Sequence, residues 1–150
     1  MKRAYTFIEL LVVVSVLAML VAFTIPTFQL ILSQLQLNSA VNQVTDFIRL
    51  AAQKTVTEQQ IYGITLNPGS VNVTMFEMVN GVKTTVQTST LPTNMEIDQV
   101  SFNGNSDISF TTNGAPTVSG QFTVEDTIRN KSRVVEIRPS GNIVDNSVEQ

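Results

Sequence analysis

Apolar residues follow three successive patterns along this chain. From Tyr5 to Pro26 they are almost continuous, and Glu9 is the one charge among them. From Gln29 to about Gln60 they recur at spacings of three and four. Leu37, Val41, Val44, Ile48 and Ala51 make one stripe, with Ala40, Phe47 and Ala52 beside it, which predicts an amphipathic helix. After Gly63 the period drops to two and the elements become strands. Ile61 to Leu66 is the first, ended by Asn67, Pro68, Gly69 and Ser70. Val71 to Val79 and Val82 to Thr88 flank Asn80 and Gly81, which reads as a two-residue hairpin. Further strands are expected over Met95 to Phe102, around Ile108 and Phe110, around Phe122 and Val124, over Val134 to Arg138, and at Ile143 and Val144. The turn at Arg129 to Lys131 is expected to close the last long hairpin.

These patterns imply an α+β chain: a long N-terminal membrane-spanning helix whose C-terminal half packs on an antiparallel β-sheet domain. No residue from Leu10 to Ile25 is charged. With Phe7 and Ile8 the run approaches the roughly 20 residues that cross a bilayer core. Lys2 and Arg3 precede it, which favours a cytoplasmic N-terminus. A cleaved secretory signal would have a shorter apolar core and a small-x-small site behind it. Here Pro26, Thr27 and Phe28 follow, and then a second apolar pattern begins.

Glu9 and Pro26 are the two anomalies of the apolar run. A carboxylate in such a helix costs several kcal/mol unless it finds a partner or snorkels. Two readings stand. Glu9 snorkels from the start of the run, or it meets an amine on a neighbouring chain. Pro26 removes one amide donor and frees the Ala22 carbonyl, which predicts a kink or local melting.

Composition narrows the chemistry. The chain has no cysteine, histidine or tryptophan. Cysteine nucleophiles, histidine general bases and His/Cys zinc sites are therefore excluded. Glu96 with Asp98, and Glu125 with Asp126, are the nearest carboxylate pairs, and they read as solvated faces rather than a catalytic dyad. No enzyme and no cofactor is implied. Net charge is −3, so nucleic acid is not the default partner. Arg129, Lys131 and Arg133 form a candidate phosphate-contacting patch. The competing reading is a turn kept soluble by charge, which nearby Glu125, Asp126, Glu136 and Asp145 favour.

Lys2, Arg3 and Ala4, followed by Tyr5 through Val12 with Glu9 in fifth place after Ala4, resemble the type III signal of type IV pilins and type II secretion pseudopilins. The resemblance implies cleavage between Ala4 and Tyr5 by a prepilin peptidase and N-methylation of Tyr5. It also implies an assembly role for Glu9 against a neighbouring subunit's N-terminal amine, and a helix kink at Pro26. Ala4 stands where the family usually has Gly, and Tyr5 where it usually has Phe. Farther on, Ile108 to Phe110, Asn113-Gly114, Gly120 to Phe122, Ser132 to Val135 and Ser140 to Ile143 resemble the GspH/FimT group of minor pseudopilins. The acidic C-terminal loop that binds calcium in major pseudopilins has no counterpart, which favours a minor subunit.

The implied organisation is a leader at 1–4, a hydrophobic assembly helix at 5–28, an amphipathic helix at 29–60 and a β-rich pseudopilin domain at 61–150. The implied partners are the prepilin peptidase, other pilins or pseudopilins, the membrane assembly platform and membrane lipid. The implied place is a bacterial cytoplasmic membrane, with the C-terminal domain outside the cytoplasm. Two alternatives remain at this stage. One is a competence pseudopilin that serves DNA uptake. The other is a binding module on an uncleaved anchor.

Overall fold

The computed structural model describes residues 6–146, and within the helix the side chains of residues 23–30 lie outside the description. Ala4 and Tyr5 are outside the described residues. Helix α1 runs over Phe7–Glu58. It is continuous helix through Pro26, so the backbone there is not melted. Two compact units meet between Leu35 and Gln36.

Within the second unit, α1 buries the predicted stripe. Ala40, Val44 and Ala51 are fully covered, and Leu37, Val41, Phe47 and Ile48 nearly so. The helix ends where its backbone acquires other partners. The buried Thr55 hydroxyl donates to Ala51 O at 2.9 Å and accepts from Tyr62 N at 3.1 Å, tying the last turn to the next strand. Gln59 adopts a φ of 54°, the left-handed conformation that stops a helix.

Eight strands follow: β1 (Ile61–Leu66), β2 (Asn72–Val79), β3 (Val82–Thr90), β4 (Met95–Ser101), β5 (Asp107–Ser109), β6 (Gly120–Asp126), β7 (Lys131–Ile137) and β8 (Ile143–Asn146). The sequence pattern implies one antiparallel sheet; among the described residues there are two of four strands each. Their orders are β3-β2-β1-β5 and β4-β6-β7-β8. Alternation tells each strand which face to bury; it does not say which neighbour it pairs with. After β3 the chain turns at Pro92, and β4 pairs with β6. The sheets touch at Ile97, which exchanges backbone hydrogen bonds with Gly69 (2.7 Å) and Ser70 (3.0 Å). Both sheets feed one core with the helical stripe, through Ile64, Leu66, Met75, Ile97, Phe102, Phe122 and Val135 among others.

Two glycines have a backbone reason to be where they are. Asn80 and Gly81 have φ of 52° and 78°, both positive, as a two-residue hairpin whose twist matches its strands requires. Gly63 lies beneath Phe76, and a Cβ there would come within 2.3 Å of the ring. Phe76 is buried, yet it stands outside the main core cluster, on the opposite face of its sheet.

The β6–β7 turn differs from expectation. Lys131 opens β7, and residues 127–130 make the turn. Asp126 explains this. Its Oδ1 accepts from Ile128 N at 3.0 Å and Arg129 N at 3.3 Å, a side-chain-closed turn that fixes the loop length.

Candidate functional site

The N-terminal end of α1 is closed by its own side chains. Thr6 donates to Glu9 Oε2 through its backbone N at 2.9 Å and its hydroxyl at 3.0 Å. Glu9 N donates back to Thr6 Oγ1 at 3.3 Å. This is a reciprocal capping box, which satisfies donors that a helix start otherwise leaves unpaired. Sequence reasoning treated Glu9 as a carboxylate in search of a partner and passed over Thr6. The missed signal was the Thr-x-x-Glu spacing. Ser15 is also satisfied locally, donating to Leu11 O at 2.8 Å.

Above that cap the helix is apolar on every side. The large hydrophobic side chains from Phe7 to Val21 are each between 51% and 82% exposed. A stripe facing a core would leave only one side of the helix apolar. An all-round apolar surface needs apolar surroundings all round, from lipid or from other helices. Among the described residues no helix is long and apolar enough to cross a membrane. The apolar stretch with described side chains ends at Ala22, and its continuation at 23–30 falls outside them.

The C-terminal end of α1 carries a polar clamp. The Tyr62 hydroxyl donates to Glu58, and Lys54 Nζ lies 2.9 Å from the same carboxylate. Lys54 also sits 5.3 Å from the centre of the Tyr62 ring. The hydrogen bond from Tyr62, aided by that from Lys54, lowers the Glu58 carboxyl below its ordinary value. The Glu58 partner in turn pushes the Tyr62 phenol up to about 12, with burial adding to it. The clamp holds the helix to β1 and reads as structural.

The three candidate phosphate contacts lie close together in sequence, and each is only partly exposed. Arg133 pairs in register with Val124, on the face that carries Val135 and Ile137 into the core. Its guanidinium hydrogen-bonds Asn38 of α1 and lies 2.8 Å from Asp145 of β8. Arg129 sits 3.6 Å from the buried Asp126. Lys131 is half-buried at the start of β7. A phosphate would have to displace the two partners of Arg133 to use it.

On the other face of the same sheet, Glu96 stands directly across from Glu125. Burial, with Asp98, Glu96 and Asp126 nearby, raises the Glu125 carboxyl above its ordinary value. This pairing depends on register and was not visible in the sequence. Among the described residues no group of carboxylates is placed to hold a metal ion.

Comparison with known proteins places this architecture. No family model matches the chain, and no curated protein does. Solved structures do match. The minor pseudopilin EpsH of the Vibrio cholerae type 2 secretion system superposes with a TM-score of 0.61 at 10% identity, over 75% of this chain and 97% of that one. The type IV minor pilin FimU of Pseudomonas aeruginosa superposes with a TM-score of 0.61 at 14% identity, over 76% of this chain and 90% of that one. The chain has the pilin fold in the form seen in these minor subunits.

Proposed function

We propose that this chain is a minor pilin or pseudopilin: a structural subunit, not an enzyme, of a type II secretion or type IV pilus filament. The observation that carries the proposal is the join of two features in one helix. Its first part is apolar on all sides, and its second part belongs to a domain with the fold of minor pseudopilins. A free-standing binding domain has no use for the first, and a simple membrane anchor has no use for the second.

In this reading the chain is made with a leader, cut between Ala4 and Tyr5 by a prepilin peptidase and methylated on Tyr5. The apolar segment holds it in the bacterial cytoplasmic membrane, with the β domain outside the cytoplasm, until the assembly platform moves it into the filament. There the apolar surface passes from lipid to neighbouring helices without entering water. Glu9 would neutralise the terminal amine of an adjacent subunit, in surroundings where charge pairs are strong and unpaired charge is costly. Its capping bonds with Thr6 hold the carboxylate at the helix start until then. Pro26, by freeing the Ala22 carbonyl, supplies a point where the helix bends to fit its neighbours.

The test is the mass of the N-terminal peptide of the protein taken from its native membrane. An N-methylated Tyr5 terminus is the expected result. A peptide that begins at Met1 would overturn processing and leave a module on an uncleaved anchor. DNA uptake is the weaker use of the same chain, because Arg133 already has Asn38 and Asp145 as partners.

A further inference from the structure

Strands β4 and β6 slip past each other by one residue. Ile97 pairs with Val124 and Val100 with Phe122, so Asp98 and Gln99 together oppose the single Thr123. Ile97, Phe122 and Val124 belong to the core, and Val100 packs against it. The bulge therefore leaves Asp98, Gln99 and Thr123 on the face turned away from the core. They line a groove of about 310 Å³ together with Pro68, Val100 and Gln121. That volume is at the lower end for ligand sites and accommodates one long side chain.

Two independent observations point to a ligand there. The first is Thr123. It is only 8% exposed, it lines the groove, and its hydroxyl has no hydrogen-bond partner among the described residues. No fully enclosed side-chain oxygen or nitrogen among them lacks a partner, so this hydroxyl opens to the groove. Hydroxyls this deeply buried are ordinarily satisfied. The second is charge. Asp98 takes part in none of the ion pairs among the described residues, and neither do Glu96 and Glu125, two positions along the same strands. Burial and the charges of Asp98, Glu96 and Asp126 hold the Glu125 carboxyl above its ordinary value, as negative charge without a counter-charge does.

These groups ask for one kind of ligand. Carboxylates only accept hydrogen bonds, and the Thr123 hydroxyl and the Gln99 and Gln121 amide oxygens can accept as well. The ligand is then a cation that donates. The carboxylates are not placed to hold a metal ion. An arginine side chain fits. Its planar head carries five donors, enough to serve acceptors on both strands, and its stem can lie along Pro68 and Val100. The described arginines of this chain each have a carboxylate already: Arg49 has Asp46, Arg129 has Asp126, Arg133 has Asp145 and Arg138 has Glu136. We propose that the groove at Asp98, Gln99 and Thr123 docks an arginine side chain presented by a different, partner protein. The site uses no residue of α1 and stands apart from the filament reading.

The test is chemical-shift mapping of the full chain in detergent micelles, with N-acetyl-arginine methylamide as the probe. Saturable shifts of the Asp98, Gln99, Gln121 and Thr123 amides are expected. The lysine counterpart should bind more weakly. The citrulline counterpart keeps the shape without the charge and should bind on the order of tenfold more weakly. Asp98→Asn should weaken the arginine probe on the order of tenfold. Thr123→Val should weaken it about threefold, and Thr123→Ser, which keeps the hydroxyl, should not. Melting curves check that each variant is folded. Absence of saturable shifts at these amides, equal binding of the citrulline probe, or unchanged affinity in Asp98→Asn overturns the proposal. Three other results would give the groove a different occupant and overturn it too. Lysine binding as well as arginine would make it a general cation site, and calcium shifting the same amides would make it a metal site. Self-association that Asp98→Asn abolishes would assign it to a second copy of this chain.

Discussion

The two ends of α1 differ in where their apolar residues point, not in how many they have. From Phe7 to Val21 the large side chains lie exposed all round the helix. From Leu37 to Ala51 they fall on one stripe, which the two sheets cover. The first pattern asks for an apolar medium. The second asks for one packed face and tolerates water on the rest, where Asp46 and Arg49 sit. One helix therefore carries two kinds of burial, one completed within the chain and one that its surroundings must complete.

The sharpest way to break the contrast is to damage each kind of burial separately. Phe122 is fully buried in the core that holds the helical stripe. Phe122→Ala should cost about 3–5 kcal/mol in urea unfolding, enough to threaten a domain of this size. Leu11→Ala, at a position 51% exposed, should leave the same unfolding curve unmoved. A matching loss from Leu11→Ala would show that the apolar end supports the domain's stability, and the contrast would fail.

A second test asks which job Glu9 does. Glu9→Gln keeps a side-chain acceptor at the third helical position, so the cap with Thr6 can persist. It removes the charge. Filament incorporation, read by recovery in sheared filaments, should be lost while membrane insertion is kept. Thr6→Ala is the converse. It should cost about 1 kcal/mol of helix start and leave the charge in place, so incorporation should fall less. Equal recovery of Glu9→Gln and the unmodified chain would remove the charge from the assembly mechanism and leave Glu9 a capping residue.

Much of this was legible from residues alone, because local pattern dictates local burial. The stripe from Leu37 to Ala51 and the strands that carry Ile64, Phe122 and Val135 follow from periods of 3.6 and 2, and the hairpin follows from Asn80 and Gly81. What could not be read is whatever depends on pairing between distant strands. The split into two sheets is one case. The Glu96–Glu125 apposition is another, and so is the use of Arg133 to join Asn38 to Asp145. Thr6 differs from these, since its three-residue spacing to Glu9 is local and the capping box follows from it.

Arg133 offers a third, smaller test, confined to the domain end of the contrast. Its side chain is 24% exposed and bridges α1 to β8. Arg133→Ala should cost roughly 1 kcal/mol, the range of a partly screened ion pair with one added hydrogen bond. A DNA mobility assay on the same variant tests the phosphate reading. Unchanged affinity alongside lost stability would assign Arg133 to the fold.

The smallest effect is expected at Glu125, and its sign is the informative part. The folded domain raises the Glu125 carboxyl above its ordinary value, through burial and the charges of Asp98, Glu96 and Asp126. The neutral form is therefore the one the fold prefers. Its contribution is fully present below the unfolded carboxyl's titration and is lost as pH rises through the higher folded value. At neutral pH the domain sits on the unfavourable side of that change. Glu125→Gln should then stabilise by roughly 0.2–1 kcal/mol, the scale of a like-charge pair directly across two strands. The gain should shrink as pH is lowered into the carboxylate range, where the unmodified Glu125 becomes neutral too. Paired melting curves at neutral and acidic pH check it. A Glu125→Gln variant less stable at neutral pH would mean that Glu125 is held by an attraction that outweighs Glu96, and the outer face of β4 and β6 would then be a stabilising surface instead of a tolerated cost.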